Sequence, residues 1–136
     1  MKIIVCVDDS DGMLFGGRRQ SKDRILREDM LKLTEESTLW MDGYSFRQFA
    51  EEGSNIRVDA HFLSLAGSED FCFLEQTDIS QYADQVRGVI LYKWNRAYPA
   101  DVRFPRALFS HKWKLESVEE FPGYSHETIT REVYTL

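Results

Sequence analysis

The chain has 136 residues with a formal net charge of -6, 43% apolar and 13% aromatic residues. That is one domain's length, with enough apolar material for a continuous core and no disordered composition. The negative field argues against broad affinity for nucleic acid or anionic membrane, and no apolar run is long enough to span a bilayer.

The first segment, Ile3 to Val7, is a continuous apolar run, the pattern of a strand buried on both faces. Asp8, Asp9, Ser10 and Asp11 end it, and Gly12 with the Gly16-Gly17 pair marks a polar loop with tight turns. A basic segment, Arg18 to Arg24, leads into an amphipathic helix whose N-cap is expected at Ser21, with Asp23 in its first turn. On that helix Ile25, Asp29, Leu33, Leu26 and Met30 share an arc of about 140°. Asp29 therefore stands inside the apolar stripe, while Arg24, Arg27, Glu28 and Lys32 take the other face.

A short strand is expected from Thr38 to Met41, then Asp42-Gly43, and a second helix near Ser45 to Glu52 closed by Gly53. Arg57 to Leu65 and Asp70 to Leu74 read as strands, and Ile79 to Asp84 as a short helix. Val86 to Trp94, rich in β-branched and aromatic residues, reads as a long strand. Trp113 to Phe121 and Glu127 to Leu136 alternate around Pro122-Gly123 as an antiparallel hairpin. Strands alternating with helices, then a terminal hairpin, predict a single α/β domain over residues 1–136. Its mixed, mostly parallel sheet should have Lys2 to Val7 at the centre. Cys6 and Cys72 lie in apolar runs and are expected as reduced core thiols; with no signal-peptide pattern, a cytoplasmic protein is expected.

Taken in order, these segments resemble dihydrofolate reductase. The shared features are a first strand ending in an acidic, glycine-containing loop, a helix with an acid in its apolar face, and a strand ending in Met before a short helix. The acidic-x-x-Phe-Pro motif at Asp101-Val102-Arg103-Phe104-Pro105 and the final hairpin also fall where the family has them. The resemblance implies a ligand cleft between the first loop and the Asp29 helix. Its wall would take in Cys6, Leu26, Asp29, Met30, Leu33 and Tyr92, with Arg18 and Arg19 at the mouth. Asp29 would match the family's pterin-contacting carboxylate, and desolvation would suit it to proton donation. The alternative is a core-edge acid satisfied by Arg18, Arg19 or a backbone amide.

The cofactor elements depart from the family pattern. The turn that holds NADPH phosphates corresponds to Met41-Asp42-Gly43-Tyr44-Ser45, with an acid at Asp42 and no arginine. The second, a Gly-Gly turn, corresponds to Leu74-Glu75-Gln76-Thr77. Asp42, beside Gly43, reads as a helix N-cap, and Glu75 and Gln76 put side chains where bare backbone should approach a pyrophosphate. The adenosine segment is also short, so loss of NADPH binding is expected. His61, His111 and His126 show no metal-ligand spacing, and no GxSxG, CxxC or P-loop pattern occurs. The leading expectation is a protein binding a small anionic or pterin-like ligand, or an interaction module. The alternatives are a divergent NAD(P)H-dependent reductase, and an RNA-associated protein acting through Arg18, Arg19, Lys22, Arg24 and Arg27.

Overall fold

The computed structural model describes residues 1–50, 53–109 and 113–136. In chain order its elements are β1 (Lys2–Val7), β2 (Gly12–Phe15), β3 (Arg18–Arg19), α1 (Arg24–Leu33), β4 (Leu39–Met41), α2 (Gly43–Phe46) and β5 (Ile56–Val58). Then come α3 (Phe62–Leu65), β6 (Phe71–Phe73), β7 (Gly88–Lys93), β8 (Val102–Arg103), β9 (Lys114–Phe121) and β10 (Ile129–Thr135). Short 3-10 turns occupy Ser80–Gln85 and Arg106–Leu108.

The main sheet has seven strands in the order β5-β4-β6-β1-β7-β10-β9, with β1 in the middle position. β5, β4, β6, β1 and β7 run parallel; β10 is antiparallel to both β7 and β9. The apolar run of β1 fits this place, since a central parallel strand is covered on both faces. Its alternate residues feed two cores. Ile3, Val5 and Val7 join Phe62, Leu63, Phe104 and Phe109 on one face. Ile4 joins Leu26 and Met30 of α1, with Tyr92 and Trp94, on the other.

Four local expectations are corrected. The stretch after Asp8 is not a simple loop: β2 pairs with β3 and with β8 in a second, three-stranded sheet. Gly16 and Gly17, with φ of 59° and 76°, form the two-residue turn between β2 and β3, where two positive φ values suit the strand twist. The helix N-cap is Asp23, not Ser21; its carboxylate accepts from the Ile25 and Leu26 amides at 2.9 and 3.2 Å. Residues 57–65 are not one strand. Asp59 accepts from the His61 amide at 2.7 Å, and that turn starts α3. The second helix begins at Gly43, two residues before the expected start, because Asp42 caps it through Ser45 N at 2.9 Å. That helix also ends at Phe46, and residues 47–50 are not helical, so it stops short of the expected end; Glu52 itself lies outside the described residues, as does His111.

Candidate functional site

In an open parallel sheet, ligands sit beyond the carboxyl ends of the strands, where consecutive connections diverge to opposite sides. Here that place lies above β1 and β6, flanked by α2 and by the β2–β3 ribbon. Much of it is filled by the chain's own side chains. Glu75 lies two residues past the end of β6 and is buried. Its Oε2 accepts from Arg19 Nε at 2.9 Å, and its Oε1 from Arg19 Nη2 at 3.0 Å, Ser45 Oγ at 2.9 Å and Gln48 Nε2 at 3.1 Å. The Arg19 guanidinium also donates to the Tyr44 carbonyl at 3.1 Å and lies 4.2 Å from the Tyr44 ring centre. Burial works against the Arg19 charge, but the hydrogen bonds and negative charge of Glu75 outweigh it and raise its pKa.

At the start of α2 the cap is also acidic. Asp42 accepts from the Ser45 amide, and its second oxygen takes the Thr77 hydroxyl at 3.1 Å. Gln76 closes the ribbon side by donating to the Gly17 carbonyl at 2.6 Å. The space left among Cys6, Gln20, Ser21, Trp94 and the Arg19–Glu75 pair is about 10 Å³. That is room for about one water.

A larger hollow, about 370 Å³, opens on the opposite face of β1. Val5, Leu14, Leu74, Ile79 and Phe104 give it apolar walls, with Thr77, Asp78 and Arg103 among its polar lining. Its size falls within the usual range for small-ligand pockets. A hollow of about 520 Å³, lined by Lys2, Leu33, Phe71, Arg87 and Val133, lies instead where strands β1, β6 and β7 begin. The smaller one stands beside the carboxyl end of β6, the end of a parallel sheet at which ligands sit in such folds.

Of the side chains expected to form one cleft, Cys6, Leu26, Met30, Leu33 and Tyr92 gather in or against the α1-side core, and Asp29 is bonded to Tyr92. Leu26, Met30 and Tyr92 are at most 2% exposed and belong to the α1-side core. Cys6 borders the same core, and burial, aided by the Glu75 charge, pushes its thiol well above the ordinary range. Burial likewise pushes Cys72 up to about 12, and both cysteines are unpaired. Leu33 lines the hollow at the other end of the sheet. Arg18 is exposed, whereas Arg19 is held by Glu75. Asp29 accepts from Arg131 Nη1 at 2.7 and 2.6 Å and from the Tyr92 hydroxyl at 2.7 Å. Its partner is therefore a residue of β10, not Arg18, Arg19 or a backbone amide. Burial opposes the Arg131 charge, but Asp29 more than offsets it, while burial first and Asp29 second push the Tyr92 hydroxyl well up. Arg131 lies about a hundred residues from Asp29 in sequence, so no local spacing signalled the pair.

Among the described residues no group of three or more His, Cys, Asp or Glu side chains is arranged to hold a metal. Among them, too, no helix is long and apolar enough to cross a membrane. No family model and no curated protein sequence matches the chain. Its fold is similar to that of a solved dihydrofolate reductase from Enterococcus faecalis, complexed with NADP(H) and RAB-propyl. The TM-score is 0.66 over 98% of this chain and 94% of that one, at 10% sequence identity. The mixed sheet with its terminal antiparallel hairpin is thus a dihydrofolate reductase-like fold.

Proposed function

We propose that this chain is a small-molecule-binding protein that keeps the reductase-like fold without a dinucleotide site. The observation that carries this reading is the Glu75 carboxylate, tied to Arg19, Ser45 and Gln48 beside the start of α2. A phosphate brought there meets two acids, Asp42 and Glu75, and an arginine already committed to one of them. The Ser45 amide and the Arg19 cation, which would favour phosphate at a helix start, are thereby spent. These residues do not fit the phosphates of NADPH, so no hydride chemistry is assigned to them.

The hollow between Val5, Leu74, Ile79 and Phe104 supports an occupant that is mostly apolar and compact, with an acidic group directed to Arg103. A pterin-like or aromatic carboxylate meets that description. The RNA-associated reading draws less support, because the basic segment does not present one free face. Arg19 is paired with Glu75, and Arg24 lies 4.5 Å from the Tyr124 ring centre. The two unpaired thiols, Cys72 buried and Cys6 half-buried, support a reducing, cytoplasmic setting.

Calorimetry tests both halves. NADPH should show no dissociation constant below about 10 μM, which corresponds to roughly -7 kcal/mol. Tighter binding would restore the reductase reading. 1-Anilinonaphthalene-8-sulfonate should bind the folded chain at one site, and Arg103→Ala should weaken it at least fivefold. Equal affinity for native chain and variant would move the ligand away from this hollow.

A further inference from the structure

The residues just ahead of α1 and the turn joining β9 to β10 meet in a cluster that the ligand hollow does not involve. His126 is the centre of it. Its Nδ1 lies 2.9 Å from Asp23 Oδ2, and its Nε2 lies 3.0 Å from Ser21 Oγ and 3.2 Å from the Tyr98 hydroxyl. The imidazole stacks on Trp94 with ring centres 4.6 Å apart. The Asp23 and His126 side chains are 0% and 3% exposed, whereas Ser21 is partly exposed.

Asp23 is held as a carboxylate. It accepts from the amides of Ile25, Leu26, Tyr124 and Ser125, at 2.9 to 3.2 Å. An acceptor-only group at Nδ1 fixes the proton on that nitrogen and leaves Nε2 as a base. The base then faces a serine hydroxyl at hydrogen-bond distance. A sealed acid, a sealed imidazole and a partly exposed serine in that order form the constellation that activates serine nucleophiles on unrelated folds.

We infer that Ser21, His126 and Asp23 form a nucleophilic centre able to transfer acyl groups from small activated esters. As Ser21 Oγ bonds to the ester carbonyl carbon, its proton passes to His126 Nε2. The bond from that carbon to the alcohol oxygen then breaks, and the alcohol departs with the proton from Nε2. Water, deprotonated by the same nitrogen, releases the acid and restores Ser21. Asp23 is the positioning residue, and it stabilises the imidazolium between the two transfers. The Tyr98 oxygen can accept from Nε2–H in that state.

A structural latch would tie α1 to the β9–β10 turn through the same Asp23 and His126, but it has no use for a reactive Ser21. Incubating the folded, full chain with a fluorophosphonate probe separates the two. One adduct per chain is expected, mapped by peptide mass to Ser21, absent in Ser21→Ala and formed at least tenfold more slowly in His126→Gln. p-Nitrophenyl acetate should give a burst of one p-nitrophenol per chain in the native protein and none in Ser21→Ala. No adduct on the native chain overturns the inference, as does an adduct on Tyr98 or Ser125. So does equal labelling of folded and acid-unfolded protein. The native chain alone decides it, so a poorly folding His126→Gln does not shelter the inference.

Discussion

Asp29 sits in the apolar stripe of α1 because it has partners there: Arg131 and Tyr92 reach it from β10 and β7. Removing its charge leaves the guanidinium facing a neutral amide in a partly buried site. Asp29→Asn should cost about 1–3 kcal/mol. The lower half of that range is expected, since Arg131 Nε is itself buried without a partner among the described residues and the pair is incompletely satisfied. Thermal unfolding should show a drop of several degrees; an unchanged midpoint would mean that Asp29 serves a ligand instead. Asp23 makes a prediction in pH. Burial opposes its charge, but the Tyr124, Ser125 and Leu26 amides and His126 dominate and hold its pKa far below the ordinary carboxylate range. Its folded pKa is therefore depressed, so its contribution to stability is present above the unfolded value near about 4 and drains away as pH falls below it. Replacing Asp23 with Asn should flatten the acid limb of the stability curve between about pH 4 and 2 and leave its slope above pH 5 unchanged. Denaturant midpoints across that range would show it.

Between elements, the Arg19–Glu75 pair joins β3 to the end of β6 and, through Ser45 and Tyr44, to α2. An ion pair at 20% and 7% side-chain exposure is shielded enough for coupling to be measurable. A double-mutant cycle of Arg19→Ala and Glu75→Ala should give a coupling energy of about 1–3 kcal/mol. A value near zero would mean that the three elements are held by their apolar contacts. The residues explain what could be read ahead of the structure. The run of β1, the Gly16-Gly17 turn and the alternation of β9 and β10 are local patterns, and each was legible. Asp42 and Glu75 could be recognised as acids at the two motif positions, because the signal there is a residue type at a fixed place. That Arg19 would neutralise Glu75 was not legible, since they stand 56 positions apart and meet only after β3 folds back over β6. The same limit hid His126, whose partners Ser21 and Asp23 lie over a hundred residues away. The N-cap was misplaced for a related reason. Asp23 outcompetes Ser21 through amides of the β9–β10 turn, which helix-start statistics do not see.

Across the whole molecule, the sheet grades from a sealed centre to an open edge. β1 is hydrogen-bonded on both sides, and four of its six residues are buried. β9 ends the order, and its first seven residues are exposed. An outermost strand offers its free amides and carbonyls to any other strand, and Leu115 and Val118, both 49% exposed, add apolar surface. Charge is what opposes pairing of two copies along this edge. In an antiparallel arrangement centred between Ser117 and Val118, Glu116 of each copy falls opposite Glu119 of the other. Like charges directly across a ladder are destabilising, and the net charge of -6 adds a general repulsion. Lys114 moderates Glu116 weakly, at 3.7 Å in an exposed pair. Glu116→Val with Glu119→Val removes both repulsions and supplies β-branched residues in their place. That double variant should associate more strongly than the native chain when sedimentation velocity is compared over a hundredfold range of concentration. The native chain should approach it as salt is raised, because the opposing force is screened. If the variant sediments like the native chain at every concentration, then shape or twist protects the edge, and the glutamates are not its guard.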